Sequence, residues 1–380
     1  MRIFHLAIPE KRIYGLDILR ALAILFVVYG HSIIFVIKVW PKKWLTIPVL
    51  DGVSIFFVLS GFLIGGILLK IFEEQKASFR LLWKFWIRRW FRTLPNYFLL
   101  LIVLFIIQGL ILNKTSLAQF WPYLFFSQNL NSIHPVFFPE AWSLSVEEWF
   151  YVFIPLGLLA IRKGGMSVKY GSITLIIFFL IFSTAIRYFR FTELGEVNFS
   201  QWDNLFRKQV LTRLDSIVFG VFGAWLAYYF KSFWIQYKRL FLVLGIALMA
   251  LHKFLIYYRP DLGFGYNSYY CIWSFSLISL ATLLLIPFLS QVKAGSGWMY
   301  KAITKISLIS YSMYLLNLSL IQEVVFRALY KVFPMDYSDY SPLLYFSMNW
   351  IFTILLSILL YKYFEIPTTK LRDIWSAKRA

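Results

Sequence analysis

One cysteine, Cys271, stands among 380 residues. An internal disulfide is therefore excluded and the redox compartment stays open. No spacing of His and Cys suits zinc or an iron–sulfur cluster. Charge is scarce as well: Asp, Glu, Lys and Arg make up 15% of the chain, against roughly 25% in soluble domains. Acidic residues are scarcest, 18 against 38 Lys and Arg, which leaves a net charge of +20. In a soluble chain that excess would suggest nucleic acid. Here membrane topology explains it better, because cytoplasmic loops concentrate Lys and Arg. No nucleic acid is expected as a partner.

What is abundant is apolar. The hydrophobic share is 60%, the aromatic share 21% and the mean hydropathy +0.69. One water-soluble core cannot hide that much, and a disordered chain would not carry it. The class that remains is an all-α polytopic membrane bundle. Cut at charges and turn residues, the apolar runs give about ten transmembrane helices, near 16–37, 51–71, 93–112, 142–161, 172–188, 212–230, 240–258, 269–289, 306–326 and 343–363. The fifth and sixth are the weakest, flanking a polar loop. With both termini cytoplasmic, inner segments hold 24 Lys and Arg and outer ones 13, with Arg20 inside the first run. That bias favours an even number of spans. The basic start (Arg2, Lys11, Arg12) precedes a run too long for a signal peptide, so it reads as a retained first helix. No repeat or appended soluble domain is visible, and residues 1–380 read as one membrane domain.

Ionisable groups inside spans cost roughly 2.5–3.5 kcal/mol each even on lenient scales, so each is a functional candidate. The first run carries Asp17, Arg20 and His31. Eleven residues separate Arg20 from His31, about three turns, so the two share a face about 16 Å apart. Asp17 can pair with Arg20 at i,i+3. Both could equally sit at the inner interface neutralising each other, and His31 could be a packing group.

The stretch Phe85-Trp86-Ile87-Arg88-Arg89-Trp90-Phe91-Arg92-Thr93-Leu94-Pro95, with Lys70, Lys76, Arg80 and Lys84, is the most basic of the chain. Arg89 and Arg92 share a helical face, with Arg88 and Lys84 close by. Guanidinium groups suit phosphate. The competing reading, slightly favoured by the residues alone, is a juxtamembrane helix on anionic lipid.

The fourth run opens Trp142-Ser143-Leu144-Ser145-Val146-Glu147-Glu148. The sixth opens Arg213-Leu214-Asp215. One glutamate near a helix N-terminus needs no function. By the alternating topology, His31, Glu147, Arg213 and Asp215 fall at similar depth near the outer face. The basic cluster falls on the opposite side.

These residues resemble the acyltransferase 3 family of integral membrane O-acyltransferases. The resemblance rests on Leu16-Asp17-Ile18-Leu19-Arg20-Ala21-Leu22-Ala23 with His31, and on Gly52-Val53-Ser54-Ile55-Phe56-Phe57-Val58-Leu59-Ser60-Gly61-Phe62-Leu63-Ile64. It continues through Arg89-x-x-Arg92 with Pro95, then Trp142-Ser143-Leu144 with Glu147, Phe150, Tyr151 and Pro155, then Arg213-Leu214-Asp215 with Gly220. Ile309-Ser310-Tyr311-Ser312-Met313-Tyr314-Leu315 and Phe364-Glu365-Ile366-Pro367 close it. Seven motifs in order cover essentially the whole chain. Two positions depart from the pattern. Asn317 stands where many members have His, which removes a second-histidine general base, and Ser54 stands where an acidic residue is common.

The resemblance implies transfer of an acyl group, often acetyl, from acyl-CoA to a carbohydrate hydroxyl in a bacterial inner membrane. Acceptors in the family include lipopolysaccharide, other surface polysaccharides, peptidoglycan and small glycosylated metabolites. Some members carry a C-terminal SGNH-type domain. This sequence stops at Ala380, just after the tenth run, so the expectation is catalysis by the membrane domain or a separate partner. Arg89 and Arg92, with Arg88 and Lys84, are expected to hold the CoA phosphates. His31, with Arg20 and Glu147, is expected to supply the chemistry, either as general base or as acyl carrier. Arg213, Asp215, Asp17 and Asn317 are expected to meet the acceptor. A thioester is already activated, so no metal is expected. The alternative is a transporter or flippase of a lipid-linked sugar, for which the repeat or paired broken helices are not found. Oligomeric state is not readable.

Overall fold

The computed structural model describes residues 6–9, 12–75, 78–112, 116–257, 267–336 and 340–377. Of the basic residues noted above, Arg2, Lys11 and Lys76 lie outside them. All regular structure among the described residues is helical. The principal helices are α1 Tyr14–Val36, α2 Gly52–Glu74, α3 Phe79–Leu104, α4 Ala141–Lys163, α5 Val168–Leu194, α6 Leu214–Tyr229, α7 Lys238–Tyr257, α8 Ser274–Leu289, α9 Gly297–Leu316 and α10 Ser341–Leu360. Four of them join wider turns with i→i+5 geometry: Phe105–Ile111 after α3, Tyr269–Trp273 before α8, Asn317–Phe326 after α9 and Tyr361–Glu365 after α10. A fifth, Trp202–Arg207, lies in the α5–α6 connection.

Among the described residues, nine helical stretches are long and apolar enough to cross a membrane. The sixth run, 212–230, forms α6, which has only 16 residues and so spans about 24 Å. It packs against α2, α5 and α8 and meets protein along most of its length. Its closest neighbour is α2, and glycine permits that approach. A Cβ on Gly61 would lie 1.9 Å from the Ile217 carbonyl oxygen, and one on Gly220 would lie 2.0 Å from that of Val58. Gly61 and Gly65 form the small-xxx-small spacing that lets membrane helices pack backbone to backbone.

Polar side chains mark where several helices start. Asp51 accepts the N–H groups of Val53 at 3.1 Å and Ser54 at 3.2 Å at the head of α2, and Ser167 accepts that of Tyr170 at the head of α5; these are N-caps. The third helix begins at Phe79, well before the run at 93 expected from hydropathy. The basic stretch is thus the first half of a spanning helix, and Pro95 does not end it. Buried partners for Arg89 inside the bundle explain how the helix carries those charges.

Successive helices reverse direction, giving the bundle two ends. At the end where Arg12 and Lys370 lie together, hereafter the terminal end, Gly15 N–H donates to the Val292 carbonyl at 2.8 Å, tying the start of α1 to the α8–α9 turn. At the far end, Val210 N–H donates to the Asn129 carbonyl at 3.0 Å, and Asn129 Nδ2 to the Lys208 carbonyl at 2.6 Å.

Candidate functional site

A cavity of about 620 Å³ opens at the terminal end and runs into the bundle. On α2 it is lined by Val53, Phe56, Phe57, Ser60, Leu63, Ile64 and Ile67. That i,i+3,i+4 stripe runs from Val53 to Ile67, about 21 Å of helix. Arg12, Arg20, Arg89, Arg92 and Lys370 line it, with Glu147 and Glu365 as the acidic groups, so positive charge prevails. The deep end is formed by Val53, Phe57, Ser143 and Tyr314.

The cations differ in how they are held. Arg89 donates to Glu147 at 3.1 Å and to the Tyr151 hydroxyl at 2.5 Å. Tyr151 in turn donates to Glu147 at 3.0 Å and shares a 2.6 Å bond with Ser60. Arg20 reaches Asp17 and the Ser307 hydroxyl, each at 3.4 Å. Arg12 donates to Asp17 at 2.8 Å and to Ser307 at 2.9 Å. Arg92 makes no hydrogen bond or ion pair with a described residue and stays open to an anion; Glu365 beside it is engaged by Asn96 at 2.9 Å and Ser312 at 2.8 Å.

His31 lies towards the far end of α1. Its Nδ1 is 2.9 Å from Asn317 Oδ1, and Asn317 Nδ2 donates to Thr353 Oγ1 at 3.1 Å. With the amide so placed, Nδ1 carries the proton and the Nε2 lone pair is free to act as a base. The tautomer follows from the amide orientation assigned to Asn317. His31 does not itself line the cavity, but Asn317 stands one turn beyond Tyr314 on the same helical face. The charged side chains whose field reaches His31 are Arg207 and Lys208, from the far-end connection. There Asp203 pairs with Arg207 and, at 2.5 Å, with Lys208. Burial alone would raise the Asp203 carboxyl, but these two cations hold it below its ordinary value.

Arg89 and Arg92 lie on the cavity at the terminal end and His31 towards the far end, whereas three other candidates are placed differently from the expectation. Glu147 sits with Arg89, not with His31, where α3 packs against α4. Arg213 and Asp215, expected to meet the acceptor, are both fully buried. Asp215 binds Arg187 at 3.0 and 2.7 Å and Ser276 at 2.8 Å. Arg213 donates to Ser54 at 2.6 Å, lies 3.6 Å from Asp51, and stacks 4.2 Å from the Phe275 ring centre. Ser54 therefore serves as a bridge between Asp51 and Arg213.

Asp17 is likewise turned inward, anchoring Arg12 and Arg20, and Asn317 serves His31. Arg88 and Lys84 are exposed on α3 and do not line the cavity, since only Arg89 and Arg92 share the inward face. Sequence reasoning passed over Arg12, Glu140, Arg187, Ser307 and Thr353. A signal existed for part of this: Ser307, Ser310, Tyr314 and Asn317 form a polar stripe along an otherwise apolar helix.

A polytopic helical membrane protein with a cation-lined internal cavity leading towards a histidine–amide pair is the class that fold and site define. The chain belongs to the acyltransferase 3 family: the family profile, described as an acyltransferase domain, matches residues 13–362. A Staphylococcus aureus (strain COL) protein provisionally named an O-acetyltransferase is 28% identical over 393 aligned residues, covering 95% of this chain and 58% of that protein. The peptidoglycan O-acetyltransferase OatA of Listeria monocytogenes is 32% identical over 170 residues, 40% of this chain and 25% of that protein. The chain thus spans little more than half the length of the relatives it matches end to end. No solved structure matches it.

Proposed function

We propose that the protein is an O-acyltransferase of the bacterial inner membrane, moving an acetyl group from cytoplasmic acetyl-CoA to a hydroxyl of a cell-envelope carbohydrate. The observation that carries this reading is the cavity. It offers an unpaired Arg92 and further cations at the terminal end, an apolar α2 wall about 21 Å long, and, one turn past its deep end, an asparagine bonded to a histidine with a free ring nitrogen. A phosphorylated carrier with a long flexible arm fits that order of surfaces. The relatives named for O-acetylation, one of them for peptidoglycan, support the same chemistry.

In this mechanism the donor's phosphates meet Arg92, with Arg12, Arg20 and Lys370 adding field. Arg89, already paired with Glu147, fixes the wall and contributes through charge. The thioester passes Ser143 and Tyr314 to reach His31. His31 Nε2 takes the proton from the acceptor hydroxyl as the oxygen attacks the thioester carbonyl. The C–S bond of the tetrahedral adduct breaks, the proton returns to the thiolate, and ester and free thiol leave. Asn317 holds the ring in the required tautomer throughout.

The test is mass spectrometry of the envelope glycans from cells lacking the gene, complemented with wild type or His31→Ala at equal membrane expression. Loss of one acetyl mass, restored by wild type alone, is expected. Restoration by His31→Ala would remove the catalytic role of His31. A glycan that keeps its mass but changes in amount outside the cell would favour export of a lipid-linked sugar instead.

A further inference from the structure

Glu140 is 2% exposed, just before α4, in a segment whose sequence shows no reason for a carboxylate. Its Oε1 accepts the backbone N–H of Leu318 at 3.0 Å and of Ser319 at 2.6 Å. Its Oε2 accepts the Ser319 hydroxyl. These contacts fall where α9 changes geometry. The Asn317 N–H still bonds the Met313 carbonyl in the α pattern, and the wider i→i+5 turn begins at Asn317. Such a turn inserts one residue, which rotates the rest of the helix by about 100° relative to a continuing α-helix. The carboxylate takes up the two N–H groups that come next.

The same residue acts on the cavity wall through its main chain. The Glu140 carbonyl accepts the Tyr314 hydroxyl at 3.2 Å and the Ser143 hydroxyl at 3.3 Å, and those two hydroxyls are 2.6 Å apart. Tyr314 and Ser143 form the deep end of the cavity, and Asn317 carries the bond to His31. One residue therefore joins the α4 side of the cavity to the segment of α9 that orients the histidine.

We infer that Glu140 is a positioning residue: its carboxylate clamps the wide turn after Asn317 in the register that keeps the Asn317 amide on His31. The inference rests on the proposed acyl transfer by His31. A carboxylate suits the task because charge-assisted hydrogen bonds are shorter and about twice as strong as neutral ones. A mid-membrane helix that departs from α geometry must find acceptors for its N–H groups within the protein. Glu140 makes no contact with a substrate in this scheme and acts only through Asn317.

The experiment uses the full-length protein in lipid nanodiscs, with acetyl-CoA as donor and the envelope acceptor identified by the glycan analysis. Glu140→Gln keeps a carbonyl acceptor and the side-chain volume, and so tests the clamp without emptying the site. It is expected to lower kcat about tenfold while donor KM stays within twofold, and to speed hydrogen exchange across residues 314–322. Ser319→Ala, which removes the hydroxyl contact alone, is expected to show a smaller fall of the same kind.

The decisive comparison is a double-mutant cycle. In an Asn317→Ala background, Glu140→Gln is expected to cost less than twofold more, because its route to His31 is already cut. A further tenfold fall in that background overturns the inference, as does an unchanged kcat with faster exchange. Should wild type transfer no acyl group, the functional reading falls instead. Exchange then decides the clamp alone, and unchanged protection in Glu140→Gln overturns it.

Discussion

The pair Arg187–Asp215 separates a structural role from a substrate-binding one, and the two roles have opposite signatures. Both side chains are 0% exposed. The guanidinium makes two bonds to the carboxylate, at 3.0 and 2.7 Å, and reaches the Thr212 carbonyl at 2.6 Å and Ser276 at 2.9 Å. Asp215→Leu leaves a buried cation without its counter-charge, a change that costs about 3–5 kcal/mol in buried pairs. At roughly 2 °C per kcal/mol, the lower end of the range for large domains, the midpoint of thermal unfolding should fall by about 6–10 °C. Arg187→Met should cost a similar amount. The double variant should recover much of the loss, because replacing a whole buried pair by apolar groups is often close to neutral. The assay is the thermal midpoint of the detergent-purified protein, read by tryptophan fluorescence at fixed scan rate. A single variant that keeps the wild-type midpoint while acceptor KM rises tenfold would refute the argument and return Asp215 to the acceptor site.

Other expectations rest on the same geometry. Arg92→Ala removes an unpaired cation, so unfolding should be unchanged while donor KM rises roughly 10–100-fold, the equivalent of one charge-assisted bond; an unchanged KM places the carrier's charges elsewhere. His31→Ala should lower kcat roughly 10²–10⁴-fold, the usual range for a positioned base, whereas Asn317→Ala should lower it less and move the rising limb of the pH–rate profile. Gly220→Ala drives a methyl to 2.0 Å from a backbone oxygen and should destabilise the α2–α6 contact by about 1–3 kcal/mol, seen as reduced membrane yield. Asp203 has its pKa depressed below the ordinary 3.8 by Arg207 and Lys208. Its contribution to stability is therefore present above that ordinary value and lost as pH falls through the lower, folded one. Limited proteolysis of the α5–α6 connection should rise only in that acid range, and Asp203→Asn should show it at every pH.

Much of the fold was legible in composition and hydropathy. The run at 269–289 matches the helical stretch Tyr269–Leu289, and of the polar groups singled out on α1, Arg20 lines the cavity. What stayed hidden has physical causes. The start of α3 at Phe79 is invisible to a hydropathy window because the basic stretch lowers the average, although half-buried Glu147 and buried Tyr151 supply Arg89 with partners. Asp215 looked like half of a binding pair because its partner, Arg187, is 28 residues away on another helix. The wide turn at Asn317 carries no local signal, since its acceptor Glu140 lies far off in sequence. Arg89 and Arg92 were readable together, yet only the structure shows that one is already satisfied and the other open.

The cavity's charge has a consequence for turnover. If the donor is an acyl-CoA, as proposed, Arg92 and the neighbouring cations would grip the phosphates, the part that donor and spent carrier have in common. Binding that is equal for substrate and product lowers KM without favouring release. Free CoA should therefore compete with acetyl-CoA at similar affinity. On the proposed function, the rate in the cell would then follow the ratio of charged to spent carrier rather than the donor concentration alone, and acylation would read out the cell's acyl supply.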